Sequence, residues 1–195
     1  MTYEFTYTLY GILKAKREGS VLPMKLRTFV CFILLLSVLV ACGNNTSTSD
    51  REIDIKQVVQ SYSLKTAEAE SASITSDLLI ISELDDSETT YDITNEDFFI
   101  SIAPYVNETH PCRNHSLTGC QGELVEESFQ LKIENMDGEL VVDETMESMK
   151  NGFIDLWLPR NETFKVTITH DGKSAEEVIT TNQDDPTCIT TMQLL

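Results

Sequence analysis

Five runs of alternating apolar and polar residues, punctuated by glycine-bearing turns, fill residues 129–180 and restrict the chain to a largely antiparallel β fold. Phe129, Leu131 and Ile133 share one side of the first run, Asn135-Met-Asp-Gly138 turns it, and Leu140 and Val142 return. Asn151-Gly152 opens the third run, in which Ile154, Leu156 and Leu158 share one face while Phe153 and Trp157 take the other, until Pro159 stops it. Phe164, Val166 and Ile168 alternate again, His170-Asp-Gly172 forms a hairpin turn, and Ala175 to Thr180 runs back. A period of two puts each apolar set on one face of a sheet, and Asn-Gly and Asp-Gly supply the positive φ that tight hairpins need. Met192 and Leu194 suggest a last strand with Cys188 at its mouth. Strands at this spacing predict an antiparallel β-sandwich for residues 106–195.

The preceding stretch, residues 52–105, reads as a small helix/strand cap, so the fold class is mainly β (α+β). Ile55, Val58, Val59 and Tyr62 recur at helical spacing, and the Ala/Glu/Ser-rich run from Thr66 to Ser76 is read as extending or following that helix. Leu78-Leu-Ile-Ile81 is a short strand, Asp85-Asp-Ser-Glu-Thr a turn, and Thr90-Tyr-Asp-Ile93 its hairpin partner. Phe98-Phe-Ile-Ser-Ile102 is another strand, ended by Pro104.

The beginning of the chain carries an address. Lys25 and Arg27 precede an apolar run from Phe29 to Val40, closed by Leu39-Val-Ala-Cys42-Gly43. This is the pattern of a secretory signal with a lipobox, in which small residues admit the peptidase and the Cys42 thiol takes the lipid. The run falls short of the ~20 apolar residues a membrane span needs. Residues 1–41 are therefore read as signal peptide, with Met24 fitting the start of the signal proper (24–41). The polar residues 42–51 form a lipid-anchored linker. The expected location is the extracytoplasmic face of the cell membrane. Removing residues 1–41 takes five of the 14 basic and two of the 32 acidic residues, leaving a net charge near −21. So acidic a surface repels nucleic acid and anionic headgroups.

Of the five cysteines, Cys31 leaves with the signal and Cys42 is spent on lipid, so Cys112, Cys120 and Cys188 remain. An exported protein pairs its structural cysteines, and an odd count leaves one thiol over. Two of the three lie with two imidazoles in His110-Pro-Cys112-Arg-Asn-His115-Ser-Leu-Thr-Gly-Cys120; the third lies in Asp185-Pro-Thr-Cys188. Thiolate and imidazole suit Cu(I), zinc and iron–sulfur clusters. Structural zinc sites usually show paired C-x2-4-C or H-x3-5-H elements and four ligands, whereas three thiols without a fourth suit trigonal Cu(I). His115 is the first candidate for an added donor and His110 the second. Spacing alone leaves open a metal site, a disulfide plus a buried cysteine, and thiol catalysis. His170 reads as a turn residue, Met136, Met146, Met149 and Met192 as packing residues, and Trp157 as a sandwich aromatic. Ser116 beside His115 lacks the Gly-x-Ser-x-Gly setting of a hydrolase nucleophile. The sequons at Asn107, Asn114 and Asn161 are read as chance in a lipobox protein.

Several motifs together carry a resemblance: Ile102-Ala-Pro-Tyr105, His110-Pro-Cys112, His115-Ser-Leu-Thr-Gly-Cys120-Gln-Gly-Glu123, Asn151-Gly-Phe-Ile-Asp-Leu-Trp-Leu-Pro-Arg160 and Asp185-Pro-Thr-Cys188-Ile-Thr-Thr191. Across roughly residues 52–195 the chain resembles the CueP family of periplasmic copper-binding proteins. The resemblance implies copper binding and copper resistance, delivery of copper to a recipient copper enzyme, and thiol-driven reduction of Cu(II) to Cu(I). It carries the family's three cysteines onto Cys112, Cys120 and Cys188, with His110 and His115 as neighbours. The expected redox pair is Cys120 with Cys188, which requires their Cα atoms within ~7 Å. A lipid anchor departs from the soluble members of the family, since a tethered donor reaches only nearby acceptors. The alternatives are a zinc-stabilised module and a disulfide-stapled envelope lipoprotein, neither with a redox role.

Overall fold

A computed structural model describes residues 53–195; the expected signal peptide 1–41, the expected lipidation site Cys42 and the expected linker 42–51 lie outside the described residues. Helix α1 (Ile55–Ser63) starts at Asp54, whose carboxylate accepts the Gln57 N–H at 3.1 Å and so caps an otherwise unpaired donor. Ile55, Val59 and Tyr62 are its buried face, as the helical spacing predicts. The helix does not continue into the Ala/Glu/Ser-rich run. Strand β1 (Ser71–Ile74) forms there, with Ala72 and Ile74 fully buried. Pairing to strands on both sides overrides the helical propensity of that composition.

Two sheets pack on a central one. The N-terminal sheet has the order β3-β2-β1-β5, built from β1, β2 (Leu78–Ser82), β3 (Glu88–Asp92) and β5 (His115–Ser116). The central sheet is β11-β4-β8, from β4 (Phe98–Ile102), β8 (Ile154–Leu158) and β11 (Cys188–Ile189). The C-terminal sheet is β10-β9-β6-β7, from β6 (Ser128–Asn135), β7 (Leu140–Glu147), β9 (Thr163–His170) and β10 (Lys173–Thr180). The molecule is thus mainly β, and the expected sandwich is the pairing of the central and C-terminal sheets.

Strand β4 explains the layering, because every one of its residues is buried. Phe98, Ile100 and Ile102 meet Phe129, Leu131, Ile133, Phe164 and Val166 of the C-terminal sheet in one core. Phe99 faces the other way, into a second core with α1, Ile74, Leu79, Ile81 and Leu117. Strand β8 repeats the arrangement, with Leu156 and Leu158 on the first side and Trp157 against the second. A strand covered on both faces reads as a continuous apolar run, which is what Phe-Phe-Ile-Ser-Ile is. Residues 52–195 form one compact unit: β4 comes from the stretch before residue 105, and both its partners come from beyond it.

The end of the chain differs from the sequence reading. The last strand is Cys188–Ile189 itself, and it runs parallel to β4, with Cys188 opposite Ser101 and Ile189 opposite Ile102. Met192 and Leu194 are core residues beyond it. Beyond β11 the Tyr105–Gln193 bridge continues the pairing.

Arg160, just past β8, ties the layers. Its guanidinium donates to the carbonyls of Glu96 (2.6 Å), Ser76 (2.8 Å) and Ile93 (2.9 Å) and lies over the Phe98 ring. A Lys ammonium cannot reproduce that planar fork. Hydrogen bonds from a charged donor are worth about 1.5–3 kcal/mol, and Arg160→Met strips three partly buried carbonyls of their partner. We expect Arg160→Met to lower the unfolding free energy by roughly 2–4 kcal/mol and Arg160→Lys to lower it less. Urea unfolding measures both, and an unchanged midpoint in Arg160→Met would contradict the tie.

Candidate metal centre

The Cys/His segment is held by backbone bonds before any metal is considered. His115 pairs with Ile74 across β5 and β1. Its N–H donates to Thr187 Oγ1 (3.0 Å), and the Thr187 hydroxyl donates to the Ile74 carbonyl (2.7 Å). The Arg113 carbonyl accepts the N–H groups of both Thr187 (2.9 Å) and Cys188 (3.1 Å). Buried Thr187 is therefore the rivet between the loop and the distant C-terminal strand. Cys120 closes a turn through its N–H to the Ser116 carbonyl (3.0 Å), while buried Leu117 donates to the Ala72 carbonyl (2.9 Å).

Two glycines set the next approach. Gly122 donates to the Asn151 carbonyl (2.7 Å) and lies against Gly152, whose φ is +77°. A Cβ on Gly122 would meet the Gly152 carbonyl oxygen at 2.5 Å, so this crossing admits no side chain. It seats the loop after Cys120 beside Phe153 at the mouth of β8.

The result is a convergence of the predicted donors. Cys112 Sγ and Cys120 Sγ are 3.5 Å apart. Donor atoms of His110, Cys112 and Cys120 lie within 4.8 Å of one another, and so do those of His115, Cys120 and Cys188. Cys120 belongs to both triads. All three thiols are free, with Cys188 buried and Cys112 and Cys120 half-buried. Ala103 and Phe153 pack around the sulfurs, and the Phe153 ring stands 4.6 Å from His115 and 6.4 Å from His110. All five candidate donors are thus drawn together. His170 is elsewhere, its Nδ1 2.9 Å from the Ser128 carbonyl oxygen.

Electrostatics divide the thiols. Cys120 is pulled well below the usual thiol range, first by a hydrogen bond from Cys188 and then by the nearby His115 and His110 imidazoles. Cys188 is pushed up, first by that same bond, in which it holds the proton, and then by burial. Burial raises Cys112. The first negative charge of the cluster therefore settles on Cys120. A metal must displace protons from the other two.

Three residues at the site escaped the sequence reading: Thr187, Ser101 and Asp155. Ser101 stands between Cys188 and Asp155 in a row across the central sheet. Its hydroxyl donates to Asp155 Oδ1 (2.5 Å) and lies 3.4 Å from His115 Nε2. Ser63 of α1 donates to the other oxygen, Asp155 Oδ2 (2.6 Å). Burial raises the Asp155 carboxyl above its usual range. The other His115 nitrogen, Nδ1, is buried and has no hydrogen-bond partner. An orphaned ring nitrogen on a histidine with a donor atom within 4.8 Å of the Cys120 and Cys188 sulfurs is the donor chemistry that soft metal ions take.

Comparison with known proteins agrees with this geometry. The family model described as periplasmic copper-binding protein CueP matches residues 54–193. The chain belongs to the CueP family. The crystal structure of S.CueP is 34% identical and superposes with a TM-score of 0.67, covering 84% of this chain and 98% of that one. Comparison with curated proteins gives no match. The CueP description is of periplasmic proteins, so an extracytoplasmic location fits. Among the described residues no helix is long and apolar enough to cross a membrane.

Glu123 fixes the His110 side of the site. Its Oε2 accepts the N–H groups of Val106 (2.7 Å), Asn107 (2.9 Å) and Glu108 (3.3 Å), and its Oε1 accepts Asn107 Nδ2 (2.9 Å). These bonds, led by those from Asn107, hold its carboxyl down at about 2. A depressed carboxylate contributes stability that is present above its ordinary value near 4.5 and is lost as the pH falls through about 2. Glu123→Gln removes that contribution. The variant is expected to unfold more easily at neutral pH, and the difference from the unsubstituted protein should shrink between pH 4.5 and 2. Urea midpoints across that range read it, and a constant difference would contradict the clamp.

Proposed function

We propose that this protein is an extracytoplasmic copper-binding lipoprotein, anchored through Cys42, that serves copper resistance and trafficking. Copper(I) is held by Cys112, Cys120 and Cys188, with His115 and His110 as imidazole donors. The observation that carries this reading is the pair of donor triads sharing Cys120, each confined within 4.8 Å. The description of the CueP family as periplasmic copper-binding proteins supports the choice of metal. So does the donor set, since thiolates and imidazole prefer Cu(I) over the hard cations that carboxylates take.

The same thiols can supply electrons. Two Cu(II) ions each accept one electron, the Cys120 thiolate and the Cys188 thiol join as a disulfide with loss of the Cys188 proton, and two Cu(I) ions result. The sulfur of Cys112, with imidazole, remains to hold one Cu(I) after that step. Whether the copper then passes to a recipient enzyme depends on partners within reach of the lipid tether. The triad of His115, Cys120 and Cys188 can also supply three of the four ligands that tetrahedral zinc takes. Zinc has no redox step.

Copper titration of the reduced protein separates these readings. The reduced protein is expected to bind Cu(I) and to convert two Cu(II) per disulfide formed. Cys120→Ser should weaken Cu(I) binding by more than about 100-fold, because losing even an outer hydrogen-bond partner of a ligand costs 10–100-fold. Reduction should stop in Cys120→Ser and Cys188→Ser and survive in Cys112→Ser. Zinc uptake without Cu(I) formation would favour the structural module. Reduction that survives Cys188→Ser would overturn the assigned pair.

A further inference from the structure

The row Cys188–Ser101–Asp155 lies across the central sheet, opposite the His115 ring, and Asp155 and Ser101 are polar residues in otherwise apolar strands. Burying a carboxylate is costly unless every lone pair of consequence is met. Here Ser63 and Ser101 each give their one hydroxyl proton to a different oxygen of Asp155, at 2.6 and 2.5 Å. Once Ser101 has donated to Asp155, its oxygen can only accept from His115 Nε2, 3.4 Å away. That contact requires the proton of the neutral imidazole on Nε2. Nδ1 is then the unprotonated nitrogen, and it is the one that is buried without a partner.

We propose that Asp155 and Ser101 are positioning residues that hold His115 in the Nε2–H tautomer, so that the Nδ1 lone pair is presented to the thiol cluster. Asp155 sets the direction of the Ser101 hydroxyl, Ser101 sets the proton on the ring, and the ring offers a ready donor. Cys188 of β11 benefits from the same residue, since it stands opposite Ser101 of β4. The chain reaches α1 through Ser63, 92 residues from Asp155 in sequence, and so couples the N-terminal layer to the donor set. Outer hydrogen-bond partners of this kind fix the ring orientation and donor strength of metal-binding histidines. The functional consequence rests on the copper reading above, whereas the tautomer itself does not.

Long-range ¹H–¹⁵N correlation of the reduced, metal-free protein reads the tautomer directly. In its neutral form, His115 should show a protonated Nε2 and an unprotonated Nδ1. Ser101→Ala should give a mixture of tautomers and weaken Cu(I) binding by about 10–100-fold. Ser101→Thr, which keeps the hydroxyl, should restore both. Asp155→Asn, a poorer acceptor for the Ser101 hydroxyl, should loosen the tautomer bias in the same direction. A proton on Nδ1 in the unsubstituted protein overturns the proposal, because it means that Asp155 donates to Ser101 and Ser101 to the ring. An unchanged tautomer ratio in Ser101→Ala overturns it too. If the tautomer and its Ser101 dependence hold but no copper binds, the copper reading fails and the positioning stands.

Discussion

The short parallel pairing of Cys188–Ile189 with Ser101–Ile102 is the contact on which the site depends. Without it the third thiol, 68 residues beyond Cys120, has no reason to meet the other two. Two backbone pairs are a weak tether by themselves, and the structure reinforces them from both ends. Thr187 joins the strand to His115 and Ile74, and Met192 and Leu194 sink into the core beyond it. The entropy of closing so long a loop is met once, by folding, and does not have to be met again when a metal binds.

Around that contact the protein sets opposing preferences on chemically identical groups. Burial favours the neutral thiol, while converging hydrogen bonds favour the thiolate at Cys120 alone. The outer surface is strongly acidic, yet the described donor set is sulfur and nitrogen. Carboxylates attract cations of every kind, whereas buried thiolates and imidazole discriminate by softness. Phe153 and Ala103 keep the sulfurs in apolar surroundings, where electrostatic interactions are stronger than in water.

Much of the fold is visible in the sequence because long strands repeat their pattern. Strands β6, β8, β9 and β10 show it as alternation, α1 as helical spacing, and β2 with β3 as a hairpin. The strands of two to four residues, β1, β5 and β11, are too short to carry a period, and they are the ones that build the site. The five candidate donors were legible because cysteine and histidine are rare and chemically distinctive. Ser101, Asp155 and Thr187 were not, since their partners lie 14 to 113 residues away and ordinary polar residues announce nothing alone. One signal was available for Asp155. It sits in β8 on the same side as Phe153 and Trp157, and a charged residue between two large aromatics points to a buried partner.

The central claim is that three cysteines from two distant segments make one copper site. X-ray absorption of the Cu(I)-loaded protein tests it most directly. The account predicts sulfur neighbours at roughly 2.3 Å, the length of a thiolate bond to a d¹⁰ ion, with one of them lost in Cys188→Ser. A shell of nitrogen and oxygen alone, or a sulfur count unchanged by Cys188→Ser, would contradict it.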